Sequence, residues 1–216
     1  MTEKLRLAVF ISGGGTNLQA IIDNCKKSDF PARVVVVVSN KPGVYGLERA
    51  REAGIPTEVV SHRDFPERAA HEAEIVRRIR RYEVELVVLA GYMRVVTNTL
   101  LSAFYDSKRC LPGVINIHPA DTRAYQGAHG YEFALGILPD HPERLTETKI
   151  TVHFVDDGVD TGPVIMQAAV PVQANDGIDD LRARGLDVEH RIYPEAIRLY
   201  AEGKISIGCN QVEIET

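Results

Sequence analysis

The chain has 216 residues, with 25 Lys and Arg against 30 Asp and Glu for a formal net charge of −5. That length suits one α/β domain with a substantial core and leaves no room for a second large one. The acidic balance argues against a nucleic-acid surface while permitting a local anion site, and no apolar run approaches the ~18 residues of a membrane helix. Cys25, Cys110 and Cys209 are scattered and lack C-x-x-C spacing, so they read as free thiols of a reducing compartment, the cytoplasm.

In chain order, residues 5–11 form an apolar first strand. Ser12-Gly13-Gly14-Gly15-Thr16-Asn17 follows, then an amphipathic helix over 18–25. Strand, glycine-rich loop and helix make an anion cradle, because glycines let backbone N–H groups approach a phosphate and the positive end of the helix dipole lies behind them. The dinucleotide fingerprint G-x-G-x-x-G fails at Leu18, and no Gly-Lys-Ser/Thr completes a Walker loop. A phosphate-monoester site survives, beside the plainer alternative of a tight turn. Residues 33–40 are too uniformly β-branched to alternate, as expected of a central parallel strand covered on both faces. A helix over 44–53 ends at Gly54, a short strand covers 57–60, and a charged amphipathic helix covers 65–81 with Arg68 in its first turn, where it reads as solvated surface. The strand over 86–90 places Gly91-Tyr92-Met93-Arg94 at its carboxyl end, where open parallel sheets bind ligands. A helix over 95–104 and a strand over 113–117 continue an alternation that predicts a doubly wound, mostly parallel α/β sheet.

Asn116 and His118 close that strand two residues apart, so alternation turns both to one face. An amide can hydrogen-bond an oxygen that is becoming negative, and an imidazole can give or take a proton near neutrality. With a carboxylate to orient the ring, the set suits attack by an amine on a carbonyl without a covalent nucleophile. The alternative is that Asn116 ends a strand and His118 packs beside Pro119. Residues 120–130 read as a polar loop, 131–137 as a helix and 138–143 as an exposed excursion. Strands over 150–155 and 163–172 flank an Asp/Gly-rich turn carrying Asp160, a long antiparallel hairpin that brings this carboxylate to the same sheet end. A helix over 178–202 is expected to break or kink at Gly185 and Pro194, and residues 209–216 to close an edge strand or fray. None of the seven histidines shows H-E-x-x-H spacing, and His118, His129 and Asp160 suit acid/base work as well as a metal, so no metal is expected; His153 reads as a packed strand histidine. No G-x-S-x-G elbow is present.

With Asn116-x-His118-Pro119 and the distant Asp160 in hand, the chain resembles the folate-dependent phosphoribosylglycinamide formyltransferase family. Matching segments recur in the same order: residues 11–22, Ser39-Asn40-Lys41, Gly46-Leu47-Glu48-Arg49-Ala50, residues 88–94, Val152-His153-Phe154-Val155 and residues 162–168. The resemblance implies a single Rossmann-like formyltransferase domain over 1–216, with a ribonucleotide-binding half (1–110) and a catalytic and folate-binding half (111–216). It also implies transfer of the formyl group of 10-formyltetrahydrofolate, as cosubstrate, to the amine of glycinamide ribonucleotide in purine biosynthesis, by a monomer or homodimer with small-molecule partners only. The catalytic trio maps onto Asn116, His118 and Asp160, with Asp160 raising the imidazole's proton affinity. The acceptor site maps onto Gly15, Thr16 and Asn17 with Arg68 for phosphate and Glu189 for ribose. The folate site maps onto Met93, Arg94, Val95, Val96, Val155, Asp156 and Asp157.

The chain departs from the family's Ser-Leu-Leu-Pro-x-Tyr-x-Gly after its His-Pro. Here Ala120-Asp121-Thr122-Arg123-Ala124-Tyr125-Gln126-Gly127 replaces two leucines and a proline, residues 138–149 are longer than expected, and Gly185-Leu186-Asp187-Val188 replaces a more polar run. A formyltetrahydrofolate hydrolase, a formyltransferase for another amine, and a folate- or nucleotide-binding protein without turnover are the alternatives.

Overall fold

The computed structural model describes residues 3–208 and 211–215. Its elements run β1 (Leu5–Ile11), α1 (Thr16–Cys25), β2 (Ala32–Ser39), α2 (Tyr45–Glu52), β3 (Thr57–Val59), α3 (Arg68–Ile79), β4 (Leu86–Leu89), α4 (Asn98–Ala103), β5 (Val114–His118) and α5 (Gly130–Leu135). Then come β6 (Glu147–Phe154), β7 (Val164–Pro171), α6 (Ile178–Ala201), β8 (Ile205–Gly208) and β9 (Gln211–Ile214). Seven strands form one sheet in the order β3-β2-β1-β4-β5-β6-β7. β1 to β5 pair in parallel, while β6 runs antiparallel to both β5 and β7. The doubly wound sheet and its antiparallel hairpin are those expected from the sequence.

Alternation along β1 explains the layers. Leu7, Val9 and Ile11 join the core beneath α1, α2, α5 and α6, whereas Ala8 and Phe10 join Val36, Val38, Ile75, Ile79 and Leu100 beneath α3 and α4. Burial on both faces is why β2 is almost wholly β-branched instead of alternating.

One expectation is corrected. α6 runs unbroken for 24 residues through Gly185 and Pro194. Its propensity deficit is outweighed by packing: Leu181, Ile192, Tyr193, Ala196, Ile197 and Tyr200 are buried, and the Tyr193 hydroxyl reaches the carbonyls of Leu89 (3.0 Å) and Ile115 (3.2 Å), seating the helix on β4 and β5. Of the last residues, Gln211–Ile214 form β9, which pairs antiparallel with β8 in a separate two-stranded ribbon. Cys209, one of the three thiols singled out above, lies outside the described residues; Cys25 and Cys110 are free.

Candidate active site

The carboxyl ends of β1, β2 and β4 are tied together by one hydroxyl. Ser12 Oγ donates to Asn40 Oδ1 (2.6 Å) and accepts from the backbone N–H of Met93 (2.9 Å), so the glycine loop and the segment after β4 share a fixed geometry. Gly15 caps α1 with φ +72° and lies so close to Gly46 that an added Cβ would come within 2.9 Å of its Cα. Only glycine meets both demands without strain. Arg49 Nε donates to the Gly14 carbonyl (2.9 Å) and holds the loop from outside. Thr16 and Asn17 open the helix, leaving the first-turn N–H groups that an anion would accept.

A cavity of about 670 Å³ opens beside this loop at the ends of β4, β5 and β6. Asn116, His118 and Asp160 share its wall with Met93, Arg94, Val95, Val96, Val155 and Asp156. Met93 is 70% exposed, Val95 is exposed as well, and with Val159 they form an apolar rim. Asp157 is exposed and lies outside the cavity lining, as does Arg68, an exposed residue at the start of α3 with no hydrogen bond or ion pair among the described residues. Glu189 is buried and accepts from Asn17 Nδ2 at 2.6 Å, which joins two of the residues expected at the acceptor site directly.

Asp160 is the hub. It adopts φ +53°, a left-handed conformation that Asp tolerates better than most residues. Its Oδ2 accepts from the Gly127 N–H (2.9 Å) and faces His118 Nδ1 at 3.3 Å; its Oδ1 accepts from Asn116 Nδ2 (3.2 Å) and faces His153 Nε2 at 3.4 Å. Burial alone would raise this carboxyl. The His153 hydrogen bond, the positive charge His118 can carry and the Gly127 N–H outweigh it, and the group ends below its usual 3.8. For His118 the balance goes the other way. Burial drives the ring below its usual 6.5; the attraction of Asp160 does raise its proton affinity, but the desolvation is larger.

The partners limit the proton positions. His118 Nε2 lies 3.1 Å from the Tyr125 carbonyl and Nδ1 3.3 Å from Asp160 Oδ2, both acceptors, so the neutral ring donates to only one of them and the imidazolium satisfies both. His153 Nδ1 lies 2.7 Å from the Phe154 carbonyl, and its Nε2 stands between Asp160 Oδ1 at 3.4 Å and Asn116 Nδ2 at 3.3 Å. His153 is the residue that sequence reasoning left as a packed strand histidine. It is packed, but it also stands directly opposite Asn116 in the β5–β6 register.

The divergent loop 120–127 has its own supports. Asp121 accepts from Lys149 Nζ (2.8 Å) and Gln167 Nε2 (3.1 Å). The Tyr125 ring stacks on Phe133 with centroids 4.6 Å apart, and His141 from the excursion stands edge-on to both rings. The polar substitutions are thus anchored to β6 and β7, and the longer excursion closes over the aromatic residue whose carbonyl holds His118.

A doubly wound sheet that gathers an amide, two imidazoles and a carboxylate at its carboxyl edge has the groups a group-transfer site needs, and the chain belongs to the formyl transferase family, whose model matches residues 5–197. It is similar to the phosphoribosylglycinamide formyltransferase of Escherichia coli, at 40% identity over 95% of this chain and 92% of that protein. Its fold matches the crystal structure of glycinamide ribonucleotide transformylase 1 from Symbiobacterium toebii with a TM-score of 0.91 and 44% identity, covering 100% of this chain and 96% of that one. The trifunctional purine biosynthetic protein adenosine-3 of Gallus gallus is 38% identical over 96% of this chain, which spans 19% of that longer protein.

Proposed function

We propose that the protein transfers the formyl group of 10-formyltetrahydrofolate to the primary amine of glycinamide ribonucleotide, acting in the cytoplasm as a monomer or homodimer. The observation that carries this reading is the convergence of Asn116, His118 and Asp160 on one cavity wall, beside an apolar rim and next to a glycine loop at a helix start. The matches to formyltransferases of the same length and fold support it. Residues 1–110 supply the ribonucleotide half, with Gly15, Thr16, Asn17 and Arg68 toward phosphate. Residues 111–216 supply the catalytic half and Glu189. The folate donor takes the cavity lined by residues 93–96 and 155–156, where Met93, Val95 and Val159 suit a planar ring and Arg94 suits a carboxylate. Among the described residues no helix is long and apolar enough to cross a membrane.

In the reaction the amine nitrogen bonds to the formyl carbon, the carbonyl oxygen becomes an oxyanion, the amine gives up a proton, and the C–N10 bond breaks as N10 takes one. Asn116 Nδ2 and His118 Nε2–H are the donors for that oxyanion, the substrate oxygen replacing the Tyr125 carbonyl on Nε2. A neutral ring at pH 7 accepts the amine's proton, and the Asp160 carboxylate beside Nδ1 stabilises the imidazolium so formed. The test is donor turnover followed by absorbance with 10-formyl-5,8-dideazafolate. Turnover only with glycinamide ribonucleotide supports the proposal. Donor loss without acceptor would make the protein a hydrolase, and turnover only with another amine would reassign the acceptor.

A further inference from the structure

Glu189 is 7% exposed and forms no ion pair among the described residues. Its two oxygens are held by neutral donors, Asn17 Nδ2 on Oε2 at 2.6 Å and the Tyr131 hydroxyl on Oε1 at 2.7 Å. A carboxylate offers about four acceptor positions, so each oxygen keeps one. Asn17, 8% exposed, adds a third acceptor: its Oδ1 is buried with no partner among the described residues. Three acceptors with no donor among them fit a neutral group carrying adjacent hydroxyls, a vicinal diol, since each unmade bond in a buried site costs the full desolvation of the group.

Tyr131 connects this cluster to the chemistry. It lies in the first turn of α5, lines the cavity with Asn116 and His118, and is itself buried. Burial and the adjacent Glu189 push its hydroxyl far above its usual range, so it remains a donor throughout. The ring has its place because residue 185 has no side chain: a Cβ there would collide with the Tyr131 hydroxyl oxygen and come within 2.7 and 2.8 Å of the ring carbons. Gly185, unexplained as a helix residue by propensity, is explained as the seat of Tyr131.

We propose that Tyr131, seated on Gly185, is a positioning residue for the acceptor's sugar: with Asn17 it fixes the Glu189 carboxylate so that the remaining acceptor positions receive a vicinal diol. This rests on the acceptor being a ribonucleotide, as above. Tyr131→Phe keeps the ring on Gly185 and removes only the hydroxyl. Calorimetric titration with glycinamide ribonucleotide and with its 2′-deoxy analogue, alongside steady-state kinetics, tests the assignment. The expected result is about tenfold weaker binding of the ribonucleotide and a matching rise in acceptor KM, exceeding any change in kcat or donor KM. The 2′-deoxy analogue should bind the wild type and Tyr131→Phe alike, and Tyr131→Phe should add nothing in a Glu189→Gln background. Unchanged ribonucleotide binding overturns the proposal, as does an equal loss for the deoxy analogue, which a merely structural role would give, or full additivity with Glu189→Gln. A wild type that neither binds nor formylates glycinamide ribonucleotide would remove the functional reading, and this proposal with it; normal wild-type turnover with an indifferent Tyr131→Phe removes this proposal alone.

Discussion

Replacing Asp160 by Asn tests the site with little disturbance of the backbone. Asn tolerates the left-handed φ of +53° as Asp does, whereas Ala would add strain there. The carboxylate faces His118 Nδ1 at 3.3 Å, and opposite unit charges at that separation attract by roughly 5 kcal/mol at an effective dielectric near 20. If about half of that is felt where the imidazolium forms, turnover falls about 100-fold. The amide also brings a conflict of donors. Its NH₂ in the Oδ2 position confronts the Gly127 N–H, and in the Oδ1 position it confronts Asn116 Nδ2, so one of these groups loses its acceptor at a cost of about 1–3 kcal/mol. The expected outcome is a loss of at least ~100-fold in kcat in the absorbance assay, with acceptor and donor binding largely retained. Turnover within a few-fold of the wild type would refute the reasoning.

His118→Ala should lower kcat by at least ~100-fold with both ligands still bound in calorimetric titration; near-normal turnover would remove the ring from the chemistry. The pH dependence has a fixed sign. Because burial holds His118 below its usual 6.5, the reactive neutral ring prevails at neutrality, and kcat/KM should fall only as pH drops through a value below 6.5. In Asp160→Asn, which lacks the attraction favouring the imidazolium, that fall should move to lower pH still, and an inflection above 6.5 in the wild type would contradict the account. Arg68→Ala should mainly raise the acceptor KM, because a phosphate clamp contributes to ground and transition states alike; an unchanged KM would return Arg68 to the solvated surface.

The strands were legible because burial on two faces demands long β-branched runs, and β1 is found at its expected limits. Asn116 and His118 were legible because a period of two puts them on one face. His153 was not, since the pairing register of two antiparallel strands is set by the whole sheet, and only that register places it opposite Asn116. Nor was the continuity of α6. Gly185 and Pro194 carry local penalties, and the compensation comes from a tyrosine 54 positions earlier in one case and a buried helix face in the other. The sign of the His118 perturbation was equally out of reach: residue types announce the attraction of Asp160, but the degree of desolvation belongs to the fold.

The packing of Tyr125 against Phe133 and His141 bears on how this enzyme can be re-engineered. The loop after His118 and the excursion are separate in the chain yet share one aromatic cluster, so they behave as a single cassette. A chimera that imported a relative's loop but kept this excursion would leave His141 facing a foreign side chain and the Tyr125 carbonyl without its anchor. Exchanging both segments together, with residue 133, preserves the unit through which the backbone holds the His118 imidazole.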